Sequence, residues 1–282
     1  MASRSLPRAA LALAGIVAAG VLLYFLLFPQ GPRTPAVQPG PDFDPGQFVQ
    51  GRPRLDVPYI ASDLRVVDAM LAMAAIRPGD YVLDLGSGDG RILIAAARSN
   101  GARGLGVDID PARIRESNLN ARDAGVANRV TFRRQDLFQT PLAEADVVTL
   151  YLLPEINLRL RPRILNEMRA GTRVVSHDYD MGDWRWDERR RVDNAMIYMW
   201  IVPARVTGAW TLTENGRSQT LALTQEYQTV GGTLDGVRVE QGRLTGDQIR
   251  FIVRRGGGRR IYEGRISGTT MAGEGWRAAR AP

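Results

Sequence analysis

"YVLDLGSGDGRILIAAA", Tyr81 to Ala97, decides how the chain reads. An apolar run ends in an acid, Asp84, and passes into a loop with glycine at every second position, Gly86, Gly88 and Gly90. Arg91 and a second apolar run follow. The pattern fits a strand, a tight turn and a helix, with glycine making the turn sharp and leaving room for a ligand. A dinucleotide fingerprint spaces its glycines G-x-G-x-x-G. Here the spacing is G-x-G-x-G, and Arg91 stands where the last glycine of that fingerprint belongs. The loop therefore suits a nucleotide-like ligand, and the acid before it suits an amino group better than a pyrophosphate.

On either side of this stretch, apolar strands and amphipathic helices alternate. A helix is expected over Ser62–Ile76 with Ser62 as its N-cap. Strands are expected at Tyr81–Leu85, Gly104–Ile109, Val130–Arg133, Asp146–Leu152 and Thr172–Ser176, and helices at Arg91–Ser99, Pro111–Ala124 and Leu158–Arg169. Such alternation predicts an α/β fold, a Rossmann-like doubly wound parallel sheet covered by helices on both faces. From Ala204 the pattern becomes short alternating runs punctuated by Gly, Asn and Asp, which predicts an antiparallel β-module or curled half-barrel. The expected organisation is an N-terminal segment at 1–29, a Pro/Gly-rich linker at 30–56, the α/β domain at 57–203 and the β-module at 204–282.

In a doubly wound sheet the ligand sits outside the carboxyl ends of the strands. Two further acids fall there. Asp108 closes the second strand, where a carboxylate can accept both ribose hydroxyls, and Asp136 follows the third, where one can accept from an adenine amino group. An adenosine with free hydroxyls, an amino-acid end and no phosphate is S-adenosylmethionine. The expected cofactor residues are Asp84, Gly86, Ser87, Gly88, Gly90, Asp108, Ile109, Asp136 and Leu137.

This constellation resembles class I methyltransferases. Two downstream blocks, "VVTLYLLPEINLRLRPRIL" (Val147–Leu165) and "GTRVVSHDYDMGDW" (Gly171–Trp184), are similar to one family within that class. That family holds the lysine methyltransferases of the adenine nucleotide translocase and of the ATP synthase c subunit, with their bacterial relatives. The resemblance implies a protein lysine as acceptor. It also implies that "PYIAS" (Pro58–Ser62) lies over the methionine end of the cofactor, which adds Tyr59 to the cofactor residues. Related amine methyltransferases hold the amine with an Asn-Pro-Pro-aromatic loop after the fourth strand. Here that loop is Tyr151–Leu152–Leu153–Pro154, so the amine acceptor is a carbonyl near Leu150–Leu152, the Tyr151 hydroxyl or Glu155. The expected catalytic residues are Tyr151, Pro154, Glu155 and His177, the one histidine and so the one candidate for a general base of the usual sort. His177 with Asp178, Asp180 and Asp183 does not have the spacing of a metal cage, and no metal is expected. Trp184, Trp186 and Trp200 with Met181, Met196 and Met199 read as core, with an apolar acceptor channel as the alternative.

Composition limits the partners. The 282 residues carry a formal net charge of +7, but 57–205 hold 21 arginines against 20 acids, so the excess lies at the two ends and no nucleic-acid partner is expected. Without cysteine there is no thiol chemistry, and every basic side chain is arginine. Ala9–Phe28 has twenty residues without a charge, preceded by Arg4 and Arg8 and followed by Pro29. That length spans a hydrocarbon core as a helix, so an uncleaved membrane anchor is expected in a bacterial inner membrane, with a cleaved signal as the alternative. Charge before the helix places the body outside the cytosol, where the methyl donor is not made, so the side of the membrane stays open. The functions in view are a membrane-anchored protein-lysine methyltransferase, a small-molecule or lipid methyltransferase, and a non-catalytic binding protein on the same scaffold.

Overall fold

The computed structural model describes residues 61–281. The expected anchor, the linker and Tyr59 lie outside the described residues. Among the described residues no helix is long and apolar enough to cross a membrane.

The first element is helix α1 (Leu64–Met73). Its N-cap is Asp63, whose side chain accepts from the Arg65 N–H, so the expected cap Ser62 is displaced by one residue and its hydroxyl is free to act elsewhere. Val66, Val67, Met70, Leu71 and Met73 turn inward. Past the helix end, the carbonyls of Ala74 and Ala75 accept from Arg173 Nη1 at 2.7 and 2.8 Å, and Arg173 Nη2 lies 2.8 Å from Asp80. One guanidinium thus satisfies orphan carbonyls and ties the helix to the sheet.

The chain then lays down β1 (Tyr81–Leu85), α2 (Arg91–Asn100), β2 (Arg103–Asp108), α3 (Pro111–Asp123), β3 (Val130–Arg134), β4 (Val147–Leu150), α4 (Pro154–Glu167) and β5 (Arg173–His177). These are the alternating units predicted, shifted at their ends by a few residues. Two strands absent from that reading, β6 (Glu188–Val192) and β7 (Ala195–Ile201), complete a seven-stranded sheet of order β3-β2-β1-β4-β5-β7-β6. β7 runs antiparallel to β5. The central strands are buried on both faces and so read as continuous apolar runs. Thr149 interrupts the run in β4, where all four residues are buried.

After Ile201 the chain crosses to β8 (Gly208–Glu214), β9 (Arg217–Glu226), β10 (Thr229–Leu234), β11 (Val237–Thr245), β12 (Gln248–Arg255), β13 (Gly258–Ser267), β14 (Thr270–Gly273) and β15 (Trp276–Arg280). The expected half-barrel is in fact a closed one, because β15 pairs with β8 from Trp276↔Glu214 to Arg280↔Trp210. Closure removes the edge strands that an open meander would expose. Trp210, Leu212, Phe251, Tyr262 and Trp276 fill the interior, with the Phe251 and Tyr262 rings stacked at 4.8 Å. The barrel is a packed core rather than a ligand cup. Trp184 and Trp200 are fully buried in the core of the α/β sheet, so they are packing residues and line no open channel.

Candidate active site

The glycine loop joins β1 to α2 at the carboxyl end of the sheet. Gly86, Gly88 and Gly90 all have positive φ, at 81°, 53° and 83°. A Cβ on Gly86 would stand 2.7 Å from Leu152, and one on Gly90 would stand 2.6 Å from the Phe132 ring, so neither position has room for a side chain. The amides of Gly86 and Ser87 both donate to the Val107 carbonyl at 2.9 Å, and the Gly88 amide donates to Asp108 Oδ2 at 3.0 Å. The loop is thereby strapped to the end of β2. Asp108 Oδ1 accepts from the Asp110 amide at 2.9 Å, and the residue is only partly buried.

Asp84 is 2% exposed and accepts from Thr149 Oγ1 at 2.7 Å. Burial pushes its carboxyl up to about 7, and the neighbouring acids Asp108 and Asp89 push in the same direction. The Ser87 hydroxyl beside it is buried without a hydrogen-bond partner. Asp136 caps the short turn Leu137–Gln139, accepting from the Phe138 amide at 2.8 Å. That loop is held by Arg163 of α4, whose Nη2 donates to the Thr140 carbonyl at 2.9 Å. Leu137 is half-buried, and Ile109 is 41% exposed at the mouth of the site.

These features fit S-adenosylmethionine. A buried carboxyl surrounded by other acids calls for a cation, and an orphaned hydroxyl beside it calls for a polar ligand. A pyrophosphate would meet only repulsion there. Asp84, Ser87 and the glycine loop would hold the amino-acid end, Asp108 with Ile109 the ribose, and Asp136 with Leu137 the base.

A second cluster stands at the ends of β4 and β5. The Tyr151 and His177 rings stack with centroids 3.8 Å apart and planes 23° from parallel. His177 is 4% exposed. Its Nδ1 lies 2.9 Å from Ser62 Oγ, and its Nε2 lies 3.4 Å from Asp178 Oδ2. Burial lowers the imidazole pKa, and the Asp178 carboxylate opposes that shift. Burial raises the Tyr151 pKa, helped by Asp178. The ring at 151 is therefore a neutral phenol on a neutral imidazole. Pro154 and Glu155 open α4 beside them, both exposed. Of the expected catalytic residues, Tyr151 and His177 touch, while Pro154 and Glu155 stand at the rim. The carbonyl of Ser62 accepts from Arg91 Nη1 at 2.7 Å, so one residue joins the glycine-loop helix to the histidine.

Three residues of this region were not read from the sequence as functional. Thr149 carried a signal, a hydroxyl within an apolar strand. Asn157 is fully buried; its Nδ2 donates to Ser176 Oγ and to the Tyr179 carbonyl, each at 3.2 Å, and its Oδ1 has no partner. Ser62 looked like an ordinary helix cap.

The sequence profile of the ANTKMT methyltransferase domain matches residues 84–188. A protein-lysine N-methyltransferase of Saccharolobus islandicus is 38% identical over 151 residues, which cover 52% of this chain and 94% of that protein. The adenine nucleotide translocase lysine N-methyltransferase of Mus musculus is 34% identical over 132 residues, 47% of this chain and 57% of that protein. Among solved structures, one described as an RNA methyltransferase from Salinibacter ruber with S-adenosyl-L-homocysteine is 47% identical, with a TM-score of 0.51, covering 52% of this chain and 96% of that one.

Proposed function

The chain belongs to the S-adenosylmethionine-dependent methyltransferases of the adenine nucleotide translocase and ATP synthase c subunit lysine methyltransferase family, and from that premise we propose that its acceptor is a protein lysine. The observation that carries this reading is the Tyr151–His177 stack, an aromatic wall at the ends of β4 and β5 with the Asp178 carboxylate against its imidazole, a surface suited to an incoming amine.

When bound, S-adenosylmethionine supplies a methyl group on a sulfonium, transferred by in-line displacement. The protein must bring the amine in neutral and aligned. A lysine amine has a pKa near ~10.4 in water, and an apolar wall lowers it by desolvation. The Tyr151 hydroxyl and a strand-end carbonyl near Leu150–Leu152 would orient the nitrogen lone pair. His177 has protein groups at both ring nitrogens, so we assign it to holding Tyr151 rather than to taking the proton. The incoming lysine ammonium would give up its proton to water at the exposed rim near Glu155 before it reaches the wall.

The membrane reading rests on the uncharged run Ala9–Phe28. A linker of about thirty residues after it would keep the site within roughly 30 Å of a bilayer, at ~5–6 Å times the square root of length. We therefore propose a membrane-associated acceptor. RNA is the second reading, favoured by the description of the Salinibacter relative. The near-neutral charge of 57–205 speaks against it, because a phosphate backbone is met by a basic face. The test is methyl-labelled cofactor with separated membrane proteins, soluble proteins, lipids and RNA from the source cells. Label in membrane proteins supports the proposal; label in RNA or lipid alone overturns it.

A further inference from the structure

The loop between His177 and β6 begins at the catalytic wall and ends under the barrel. Near its start, Asp178 adopts a positive φ of 63° and its Oδ1 accepts from the Met196 amide at 2.9 Å. Asn157 grips the Tyr179 carbonyl from α4. From Asp183 onward it has partners both in β7, where Trp200 Nε1 donates to the Trp184 carbonyl at 2.7 Å and the Ile201 amide to Asp187 Oδ2 at 2.8 Å, and in the barrel. The Tyr227 hydroxyl, in the turn between β9 and β10, donates to Asp183 Oδ2 at 2.9 Å. The Tyr227 ring stacks on Trp184 at 6.2 Å, and the Arg161 guanidinium of α4 lies 5.7 Å from its centroid. Arg161 also pairs with Asp183 on the side away from the phenol. Gln228 Nε2 donates to the Arg185 carbonyl at 2.6 Å, and Arg243 Nη2 to Asp187 Oδ1 at 2.6 Å.

Each contact has a bearing on the loop's freedom. Tyr227 has a positive φ of 51°, a conformation that costs a non-glycine residue and persists only where the surroundings fix it. The Asp187 side chain is 9% exposed beneath Arg243, whose charge opposes the cost of that burial. The glycine loop, Asp108 and Asp136 make none of these contacts. Among the described residues, the barrel thus holds the far end of the loop that leaves the acceptor wall, and it makes no hydrogen bond to the glycine loop, Asp108 or Asp136.

We propose that the barrel serves as a built-in tether for residues 178–187, with Tyr227 as the positioning residue that sets the acceptor wall for methyl transfer. The proposal rests on the reading that the site takes a protein amine, and its test separates the two. Tyr227→Phe removes the hydroxyl and keeps the ring; Tyr227→Leu removes both. The full chain of each is compared by amide hydrogen exchange over 178–187, by calorimetry with S-adenosylmethionine, and by label transfer into membrane proteins. Expected are exchange faster by about tenfold in the loop for Phe and more for Leu, cofactor affinity within about twofold, and transfer reduced at least fivefold through a raised KM for the acceptor. If loop exchange is unchanged in both variants, or if cofactor affinity falls in step with transfer, the tether is wrong. If the wild-type protein labels no protein at all, the lysine reading falls and the exchange comparison alone decides the tether.

Discussion

The Ser62 hydroxyl and His177 Nδ1 stand 2.9 Å apart, both buried, although the two residues are 115 positions apart in the chain. The contact fastens the residue before the N-cap of α1 to the end of β5, and the histidine in turn carries the Tyr151 ring. Ser62→Ala would leave a ring nitrogen unpartnered in a buried place, at about 1–3 kcal/mol. The expected outcome is a modest loss of thermal stability, a larger loss of methyl transfer, and cofactor affinity nearly unchanged. Transfer equal to wild type would show that the histidine does not position Tyr151.

Asp84 should make both stability and cofactor binding depend on pH. Its carboxyl titrates at about 7 in the folded protein, against ~3.9 in an unfolded chain. Between those values the folded state holds a proton that the unfolded state has lost, so this contribution to stability is full below about 4 and falls away as pH rises to about 7. A bound ammonium favours the ionised carboxylate, so affinity for S-adenosylmethionine should rise with pH up to the same point and then level. Asp84→Asn should abolish both trends and weaken binding. His177 works in the opposite sense. Its lowered pKa costs stability as pH falls below ~6.5, and a His177→Gln background removes that contribution. Chemical denaturation and calorimetry across pH 4–8, roughly the window of these shifts, provide the check.

Asp108 is assigned the ribose. Asp108→Ala should weaken S-adenosylmethionine by about 2–4 kcal/mol, since two hydroxyls would lose their acceptor in a shielded place. NAD should not compete in either protein, because Asp84 would face its phosphates. Calorimetry in which the variant binds as tightly as wild type would remove Asp108 from the site.

Arg173 links α1 to Asp80, and both side chains are largely buried, at 16% and 14% exposure. Arg173→Ala leaves two helix-end carbonyls without their donor and leaves the Asp80 carboxylate with the Arg77 amide but no counter-charge. A loss of about 3 kcal/mol is expected, read as a lower midpoint in urea with little change in slope. A variant as stable as wild type would mean that solvent replaces the guanidinium without cost.

The parallel sheet was legible because its strands are continuous apolar runs and its helices have caps and periodicity. The acids at the ends of β1, β2 and β3 were legible for the same reason, since strand ends place them. β6 was not, because "ERRRV" shows no apolar face; it pairs only with β7 at the sheet edge and keeps its arginines in water. Barrel closure was hidden as well. The pairing of Trp276 with Glu214 joins strands sixty residues apart, and alternation along each strand says nothing about which strand comes next. Tyr227 and Ser62 were invisible as site residues because their partners, Asp183 and His177, are brought to them by tertiary packing alone. The expectation that Ser62 caps α1 missed by one residue, because Asp63 competes for the same role with a stronger acceptor.

The central claim is transfer of a methyl group to a lysine side chain. The chain contains no lysine, so self-modification cannot contribute to that signal. The most direct measurement is complete acid hydrolysis of proteins labelled by the enzyme from methyl-labelled S-adenosylmethionine, followed by amino-acid analysis. The account predicts label in methylated lysine, lost when Asp84→Asn or Asp108→Ala replaces the wild type. Label in methylated arginine or in an alkali-labile ester, or equal labelling by the two variants, would contradict it.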